Sequence, residues 1–250
     1  MGEKYLFEKP LTEAVIIKRN SQFTMDVAYQ GEILRCHCPA TTRIGDIDVK
    51  GVSCLISSSD DPKRKLRYTV EAVSCDEPEV ENKNWIGINL ILSNRLVEFL
   101  LETHQLDAMV SNYDSIRREV TLGISKLDFL VGNTYLEVKS PLTTLNVKYG
   151  THIKTKKVTP FSSTDRFQKH IRELAGSLKS HERAILLTVN QYMPTEMRPH
   201  LRSTHYAEVS QTMKEALNAG IETWNINLKF MPDGAELISL TETSKETKNY

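Results

Sequence analysis

The chain has no run of about 18 apolar residues, which is the length that a membrane-spanning helix needs. Its first residues also lack the apolar stretch of a secretory signal peptide. We therefore expect no membrane partner and a cytoplasmic location. The chain has no net charge either, because 32 basic residues balance 32 acidic ones. Overall charge gives no argument for nucleic-acid binding, which must be argued from local clusters.

The four cysteines lack the spacing of a structural zinc site. Cys36 and Cys38 flank His37, whereas Cys54 and Cys75 are single and far apart, so paired C-x-x-C knuckles are missing. Alternate residues of a strand point to the same side, and free cysteine often packs as a small hydrophobic residue. We interpret Cys36 and Cys38 as core residues and His37 as a structural hydrogen-bonding residue.

The composition is that of a globular protein, with 40% hydrophobic and 26% charged residues in 250. This length suits one large domain or two of ordinary size. Short strands with turn signals fill the first part, which predicts an OB-like β-barrel. After an acidic, polar stretch at 77–84, interpreted as a linker, strands alternate with helices, which predicts an α/β layer. We therefore predict an α+β chain with a barrel at 1–82 and an α/β domain at 83–250.

The periodicity of apolar residues gives the expected positions of these elements. Strands are predicted at 14–18, 23–29, 32–38, 52–57, 66–73, 117–122, 184–189 and 221–230. Three helices are predicted: one at 94–104, one that begins after a Ser162-x-x-Asp165 capping box, and one that begins at Tyr206 and stops at Gly220. Residues 241–250 are polar and charged, and we predict a frayed tail there.

A short hairpin carries the strongest chemical signal. Its strands are residues 127–131 and 134–139, and the Gly132-Asn133 pair between them is typical of a two-residue turn. Such a turn fixes the register, so that the residues next to the turn pair with each other and Asp128 faces Glu137. The sequence therefore predicts two carboxylates directly opposite each other on neighbouring strands.

Alternation along the strands places Glu137 and Lys139 on the same face as Asp128. The other face carries the apolar residues Phe129, Leu136 and Val138. Like charges on paired strands repel each other unless a cation or a shared proton offsets them. We predict that Asp128 and Glu137 bind Mg²⁺ (or Mn²⁺), with Lys139 as the cation that assists an attacking water in phosphodiester hydrolysis. The alternative is an exposed hairpin with ordinary polar residues.

An Asp followed by Glu-x-Lys on the next strand resembles the PD-(D/E)XK nuclease core, and a longer resemblance supports it. Segments throughout the chain look like the sugar fermentation stimulation protein A family, in that family's order. They are residues 36–39, 57–69, 85–89, 94–97, 118–120 with Gly123, 125–130, 136–140, and 169–170 with 173–174. The resemblance implies an N-terminal OB-like barrel, a C-terminal nuclease-like domain, DNA binding and a debated regulatory role in sugar metabolism.

The chain also departs from the family pattern. Ala40 and Thr42 stand where Asn and Gly are usual, Lys126 replaces an Arg, and Phe167 stands where Gly is expected. The family's Phe-Pro-Asp stretch reads Thr-Pro-Phe here, at 159–161, so an acidic residue is missing near the site. These changes affect the loop beside the site and leave Asp128, Glu137 and Lys139 intact.

Further site candidates fall into three groups. Glu119 is an additional acidic candidate, with an ion pair to Arg117 or Arg118 as the alternative, and Gln191 follows a buried strand whose end we place near the cleft. The basic residues expected to contact nucleic acid are Lys63, Arg64, Lys65 and Arg67 near Tyr68, and Lys126, Arg166, Lys169 and His170 around the predicted site. A basic ribbon at 148–157 is a further phosphate-binding candidate. Solvated surface turns are the alternative for these clusters.

Two functions of different classes follow. The first is a DNA-binding, Mg²⁺-dependent nuclease, and the second is a nucleic-acid-binding regulator of sugar metabolism with little or no cleavage. A third, weaker alternative is a barrel that binds a sugar or a nucleotide. Cutting both strands of a duplex often needs two sites, so a homodimer remains open, although no heptad repeat announces one.

Overall fold

The computed structural model describes residues 2–123, 125–160, 164–199 and 202–247. Its strands are β1 Tyr5–Leu6, β2 Thr12–Ser21, β3 Thr24–Tyr29, β4 Glu32–His37, β5 Ser53–Ser58, β6 Tyr68–Ser74, β7 Trp85–Gly87, β8 Ile116–Leu122, β9 Ser125–Val131, β10 Thr134–Lys139, β11 Arg183–Asn190, β12 Glu222–Met231 and β13 Gly234–Glu242. Its helices are α1 Leu90–Glu102, α2 Asp165–Ser177, α3 Tyr206–Ala219 and α4 Ser244–Thr247.

Strands β2 to β6 form a closed barrel. They pair antiparallel in the order β4-β3-β2-β5-β6, and a parallel pairing of Cys36 with Tyr68 joins β4 to β6 and closes the ring. Alternate residues of these strands point inward, so that Ile16, Met25 and Val27 are fully buried. The predicted OB-like barrel is confirmed. All four cysteines are free and buried in this core, where burial raises the pKa of the Cys36 thiol to about 11.

The second half of the chain forms an α/β layer. Strands β10, β11 and β12 are parallel, β9 pairs antiparallel with β10, and β8 pairs antiparallel with β9 at the edge of the sheet. Helix α1 packs on one face, where Leu96 and Phe129 share one buried cluster, and α2 and α3 pack on the other, where Ile171 and Tyr135 share a second cluster. Burial on both faces explains the continuous apolar run of β11. The predicted barrel and the predicted α/β layer are thus both present.

A three-residue strand joins the two halves. Strand β7 pairs with β6 through Ile86 and Val73, and with β12 through Trp85 and Phe230. The barrel and the α/β sheet therefore belong to one continuous sheet. The stretch predicted as a linker is a hydrogen-bonded connection between paired strands, since the backbone N–H of Asn84 donates to the Asp76 carboxylate at 2.5 Å.

The segment after β10 returns to the barrel. Leu142, Leu145 and Val147 are buried in the barrel core, against the loop that contains Gly45. Two basic residues of the predicted ribbon contact acids there, because Lys156 lies 3.0 Å from Asp48 and His152 lies 3.1 Å from Glu77. Apolar residues thus anchor this segment on the barrel, while its lysines remain exposed.

The predicted ends of elements were right at α3 and wrong at the C-terminus. Helix α3 ends at Gly220, whose φ of +108° is a left-handed value that glycine adopts without steric cost. Residues 241 and 242 belong to β13, where Thr241 pairs with Asn225, and α4 follows them. Partner β12 stabilises this segment, and the local sequence does not reveal that partner. Ser162, predicted as the cap of α2, and Phe161 lie outside the described residues.

No helix in the described ranges is long and apolar enough to cross a membrane.

Replacing Leu145 with alanine tests whether the segment after β10 is part of the barrel core. Leu145 is fully buried, so Leu145→Ala should lower the free energy of unfolding by about 2–5 kcal/mol through lost burial and a cavity. Urea denaturation measures this loss. Met197→Ala, at a side chain that is 78% exposed, is the control and should change the free energy by less than about 0.5 kcal/mol. Equal stability of the two variants would contradict this packing.

Candidate functional site

Asp128 lies where the β9–β10 hairpin opens. The hairpin has the predicted register from Val131 opposite Thr134 to Phe129 opposite Leu136, and its ladder ends there. Beyond this point the backbone N–H of Val138 donates to Asp128 Oδ2 at 2.8 Å. Asp128 is therefore bonded to β10 through its side chain, whereas the prediction had it facing Glu137 within a continuous ladder.

Neighbouring strand β8 is distorted at the same level. Arg118 pairs with Phe129 and Val120 pairs with Leu127, while Glu119 between them has a φ of +50°. A left-handed backbone is uncommon for a residue other than glycine and costs free energy. The backbone is thus irregular on both sides of Asp128.

The Glu119 side chain points away from the buried acids. It is exposed and lies 3.6 Å from Lys126, and Arg118 instead pairs with Glu98 at 2.8 Å. The structure therefore gives Glu119 neither the Arg117 nor the Arg118 partner that we had considered. Although Glu119 lies on β8 at the level of Asp128 on β9, its carboxylate does not enter the buried site.

Glu137 is the most buried charged residue of the site. It is 1% exposed, and its Oε1 atom contacts both the Lys139 ammonium and Nδ1 of His170. The other oxygen, Oε2, is also buried and has no hydrogen-bond partner among the described residues. A buried carboxylate oxygen without a partner is costly unless a cation or a donor approaches it. The site therefore contains one acceptor atom that its protein neighbours leave unused.

Asp128 and Glu137 affect each other electrostatically. Burial raises the pKa of Asp128, and the negative charge of Glu137 raises it further. Hydrogen bonds from Val138 and Asn94 and the positive charge of Lys139 act in the opposite direction. The two acids and the ammonium thus lie close enough to interact, which is the constellation that the sequence pattern anticipates.

Asn94 of α1 is a site residue to which sequence reasoning gave no role. Its side-chain amide donates to Asp128 Oδ1 at 2.8 Å. The residue belongs to a segment that carried the family resemblance, and it is polar within a helix whose other face is apolar. Those two signals together could have identified it.

A cleft of about 430 Å³ opens beside Glu137. It is lined by Ser125, Lys126, Asp165, Arg166, Lys169 and His170. Lys126, Arg166 and Lys169 are exposed and face a single acid, so the cleft carries an excess of positive charge. Helix α2 packs across β9 and β10, and this packing brings together basic residues about 40 positions apart in the sequence. Four of the predicted nucleic-acid contacts meet in one place.

The other basic cluster lies elsewhere, in the turn before β6. Lys63, Arg64, Lys65 and Arg67 are exposed there, and none lines the cleft beside Glu137. The Arg64 guanidinium donates to Thr69 Oγ1 at 2.9 Å and borders a larger cleft of about 740 Å³ between the barrel and α1. The Arg67 guanidinium lies 5.8 Å from the centre of the Tyr68 ring. This cluster is a separate surface.

Gln191 is connected to the site through hydroxyl groups. It is 2% exposed, and its side-chain amide donates to Ser93 Oγ at 2.8 Å. Ser93 in turn lies 2.7 Å from the hydroxyl of Ser140, the residue that follows Lys139. Gln191 is therefore linked to the end of β10 through Ser93 and Ser140, and it does not contact the carboxylates themselves.

The donor set suits a hard divalent cation. Mg²⁺ is commonly bound by one or two carboxylates and keeps several waters. Asp128 and Glu137 provide two such groups, and the unpartnered Glu137 Oε2 is an oxygen that a cation would satisfy. No group of three or more His, Cys, Asp or Glu side chains suited to a metal ion occurs in the part of the chain that the structure describes. The residues fit a site that leaves room for water and phosphate.

Two family models match the chain in succession. Residues 17–88 match the SfsA N-terminal OB domain, and residues 91–234 match the sugar fermentation stimulation protein RE domain. Together they span the barrel and the α/β layer.

Curated relatives are similar over nearly the whole length. A sugar fermentation stimulation protein homolog of Picosynechococcus sp. is 32% identical over 239 residues, covering 93% of this chain and 91% of the relative. A homolog of Synechococcus sp. (strain JA-2-3B'a(2-13)) is 34% identical over 245 residues, with 95% of each chain covered. The solved structure of Pyrococcus furiosus SfsA in complex with Ca²⁺ has a TM-score of 0.72 and 21% identity, covering 95% of this chain and 97% of that one. At this identity the match establishes the fold.

The raised pKa of Asp128 predicts a pH-dependent stability. The folded, cation-free protein holds the proton of Asp128 to higher pH than the unfolded chain does, because burial and Glu137 disfavour the charge. The resulting stabilisation is present below the unfolded-state pKa and is lost as pH rises through the folded-state pKa. Asp128→Asn, which cannot ionise, should therefore gain stability relative to the unaltered protein as pH rises above about 4, the ordinary pKa of an aspartate. Urea unfolding in chelator measures this, and a difference that is independent of pH would contradict it.

Proposed function

The chain belongs to the sugar fermentation stimulation protein family, and on this premise we propose that it binds DNA and cleaves phosphodiester bonds with a divalent cation. Asp128 and Glu137 are the proposed ligands of Mg²⁺ (or Mn²⁺), and Lys139 is the proposed catalytic cation. The observation that carries the proposal is the buried Oε2 atom of Glu137, which has no hydrogen-bond partner among the described residues and lies near a second, half-buried acid. We also propose that the chain has two domains, a barrel domain at 1–82 and a nuclease-like domain at 83–250.

A solved relative supports the choice of a divalent cation. The Pyrococcus furiosus protein, which has the same fold, was solved in complex with Ca²⁺. Ca²⁺ and Mg²⁺ both prefer oxygen ligands, so a fold that accommodates one is a reasonable host for the other. In this chain the carboxylates of Asp128 and Glu137 are the oxygen ligands that we assign.

Each protein group has a role in the proposed reaction. When bound, a divalent cation polarises a phosphoryl oxygen and lowers the pKa of a coordinated water. Lys139, whose side chain is 32% exposed, keeps its ammonium next to Glu137 and can stabilise negative charge that develops on the phosphate. Arg166, Lys169 and Lys126 line the adjacent cleft, and we assign them to the phosphates of the bound strand.

Nucleic-acid binding without cleavage is the second candidate function. It is favoured by the small number of acids, because the described residues include no cluster of three or more metal-binding side chains. The exposed carboxylate of Glu119, paired with Lys126, adds no third ligand. On this alternative the cleft cations and the basic turn before β6 bind the strand, and the protein acts as a regulator or accessory module.

Substitutions at the two acids and the lysine separate these functions. Asp128→Asn, Glu137→Gln and Lys139→Ala should each reduce Mg²⁺- or Mn²⁺-dependent cleavage by about 100-fold or more, because each removes a cation ligand or a charge on the reacting phosphate. Binding should persist, since the first two changes remove negative charge. Cleavage of labelled single- and double-stranded DNA and RNA is measured with metal and with chelator.

The control for these substitutions is Glu182→Gln. Glu182 is exposed and lies just before β11, at the end of the sheet opposite Lys139, so its loss should leave cleavage unchanged. Cleavage that persists in all three site variants would trace the activity to a contaminant. Salt-sensitive binding without any cleavage by the unaltered protein would establish the second candidate function. Absence of both would reject the nucleic-acid proposal.

The cleft cations predict a change in the salt dependence of binding. Lys169→Ala and Arg166→Ala should each weaken binding to all sequences alike and reduce the slope of log K against log salt by about 0.9 for duplex DNA, because each removes one phosphate contact. Fluorescence anisotropy at several salt concentrations measures both quantities. Lys214→Ala, on the exposed face of α3, is the matched control. Slopes that are equal in all four proteins would exclude the cleft as the binding surface.

A further inference from the structure

We infer that His170 is a positioning residue that holds Glu137 for the divalent cation and does not bind the nucleic-acid phosphate. This inference rests on the proposed cation site and gives a role to a residue that the sequence pattern groups with the phosphate-binding cations. Its basis is the contact between His170 Nδ1 and Glu137 Oε1, which joins α2 to β10 in the interior.

The chemistry of this contact fixes which ring nitrogen carries the hydrogen. An ionised carboxylate only accepts hydrogen bonds, so Nδ1 of His170 is the donor. The ring is also buried, at 8% exposure, whereas its neighbours Arg166 and Lys169 are exposed. Helix α2 therefore presents two exposed cations to the cleft, together with a buried imidazole at the cleft wall whose Nδ1 contacts Glu137.

Two donors converge on the same oxygen of Glu137. Lys139 approaches Oε1 from two positions further along β10, and His170 approaches it from the helix that covers the sheet. Two directed bonds on one oxygen limit rotation of the carboxylate and leave Oε2 as its unoccupied atom. Hydrogen bonds of this kind orient carboxylates that bind metals, and their loss typically costs 10–100-fold in metal affinity.

The helix that carries His170 is itself held in place. Ile171 and Leu174 are fully buried, in an apolar cluster that also contains Tyr135 of β10. The ring is therefore supplied by a rigid element, as positioning requires. Asn94 has an equivalent relation to Asp128 from α1 on the opposite face of the sheet. Each proposed ligand is thus held by a side chain from a different helix.

The test is the affinity for Mn²⁺ of variants at His170, measured by isothermal titration calorimetry on the full chain without nucleic acid. His170→Leu fills the space without a donor and should bind Mn²⁺ about 10–100-fold more weakly. His170→Asn places an amide donor close to the position of Nδ1 and should stay within about threefold of the unaltered protein. Restoration by asparagine separates positioning from a purely structural role, because asparagine fills the buried space less well than leucine.

Gln168→Leu is the matched control. It removes another buried polar side chain from the same turn of α2, one that bonds to Thr164 and Thr212 and has no bond to Glu137. Its Mn²⁺ affinity should be unchanged. Circular dichroism verifies folding of each variant, and His170→Phe, a ring without a donor, replaces His170→Leu with the same expectation if the leucine variant does not fold.

The outcomes distinguish this inference from the proposed function. Equal Mn²⁺ affinity in the unaltered protein, His170→Leu and His170→Asn overturns the positioning role and leaves the cation site standing. A loss of affinity that is as large in His170→Asn or in Gln168→Leu as in His170→Leu also overturns it. Absence of Mn²⁺ uptake by the unaltered protein overturns the cation site itself, and with it the inference.

Discussion

The burial of a carboxylate between the sheet and α2 is the constraint on which the rest of the site depends. Glu137 is on the face of β10 that packs against α2, a position that an apolar residue would fill at lower cost. Lys139 and His170 satisfy one of its oxygens, and the second oxygen has no partner in the part of the chain that the structure describes. A carboxylate buried in this way is stabilised only if positive charge lies close to it. The proposed cation would supply this charge, and the basic cleft beside it extends the positive potential toward solvent.

The relation between the barrel and the α/β layer follows from backbone pairing. Strand β7 pairs with strands of both sheets, and the segment after β10 packs Leu145 into the barrel core before the chain enters α2. The two halves therefore share hydrogen bonds as well as apolar contacts. A strand of nucleic acid bound to one half would meet the other in a fixed orientation, which a free linker at 77–84 would not have provided.

Irregular backbone marks the place where chemistry is proposed. The hairpin ladder ends at Phe129 and Leu136, and the facing strand turns left-handed at Glu119, so Asp128 lies between two interrupted pairings. These interruptions free its carboxylate to accept from the Val138 backbone and from Asn94. Regular strands would have kept Asp128 in the ladder, with its side chain simply opposite Glu137. The distortion thus converts a surface pair of acids into a partly buried site.

The sequence by itself determined the barrel strands, the buried strand β11, the main helices, the turn at Gly132-Asn133 and the trio Asp128, Glu137 and Lys139. These follow from alternation, helical periodicity and turn chemistry, which depend on residues only a few positions apart. Only the tertiary structure decided that Asn94 holds Asp128, that His170 faces Glu137, that Glu119 turns outward and that β7 and β13 add to the sheet. Each of these depends on elements that are far apart in the chain and are brought together by burial of apolar faces. Because many pairings bury similar area, no local pattern specifies which side chains will meet.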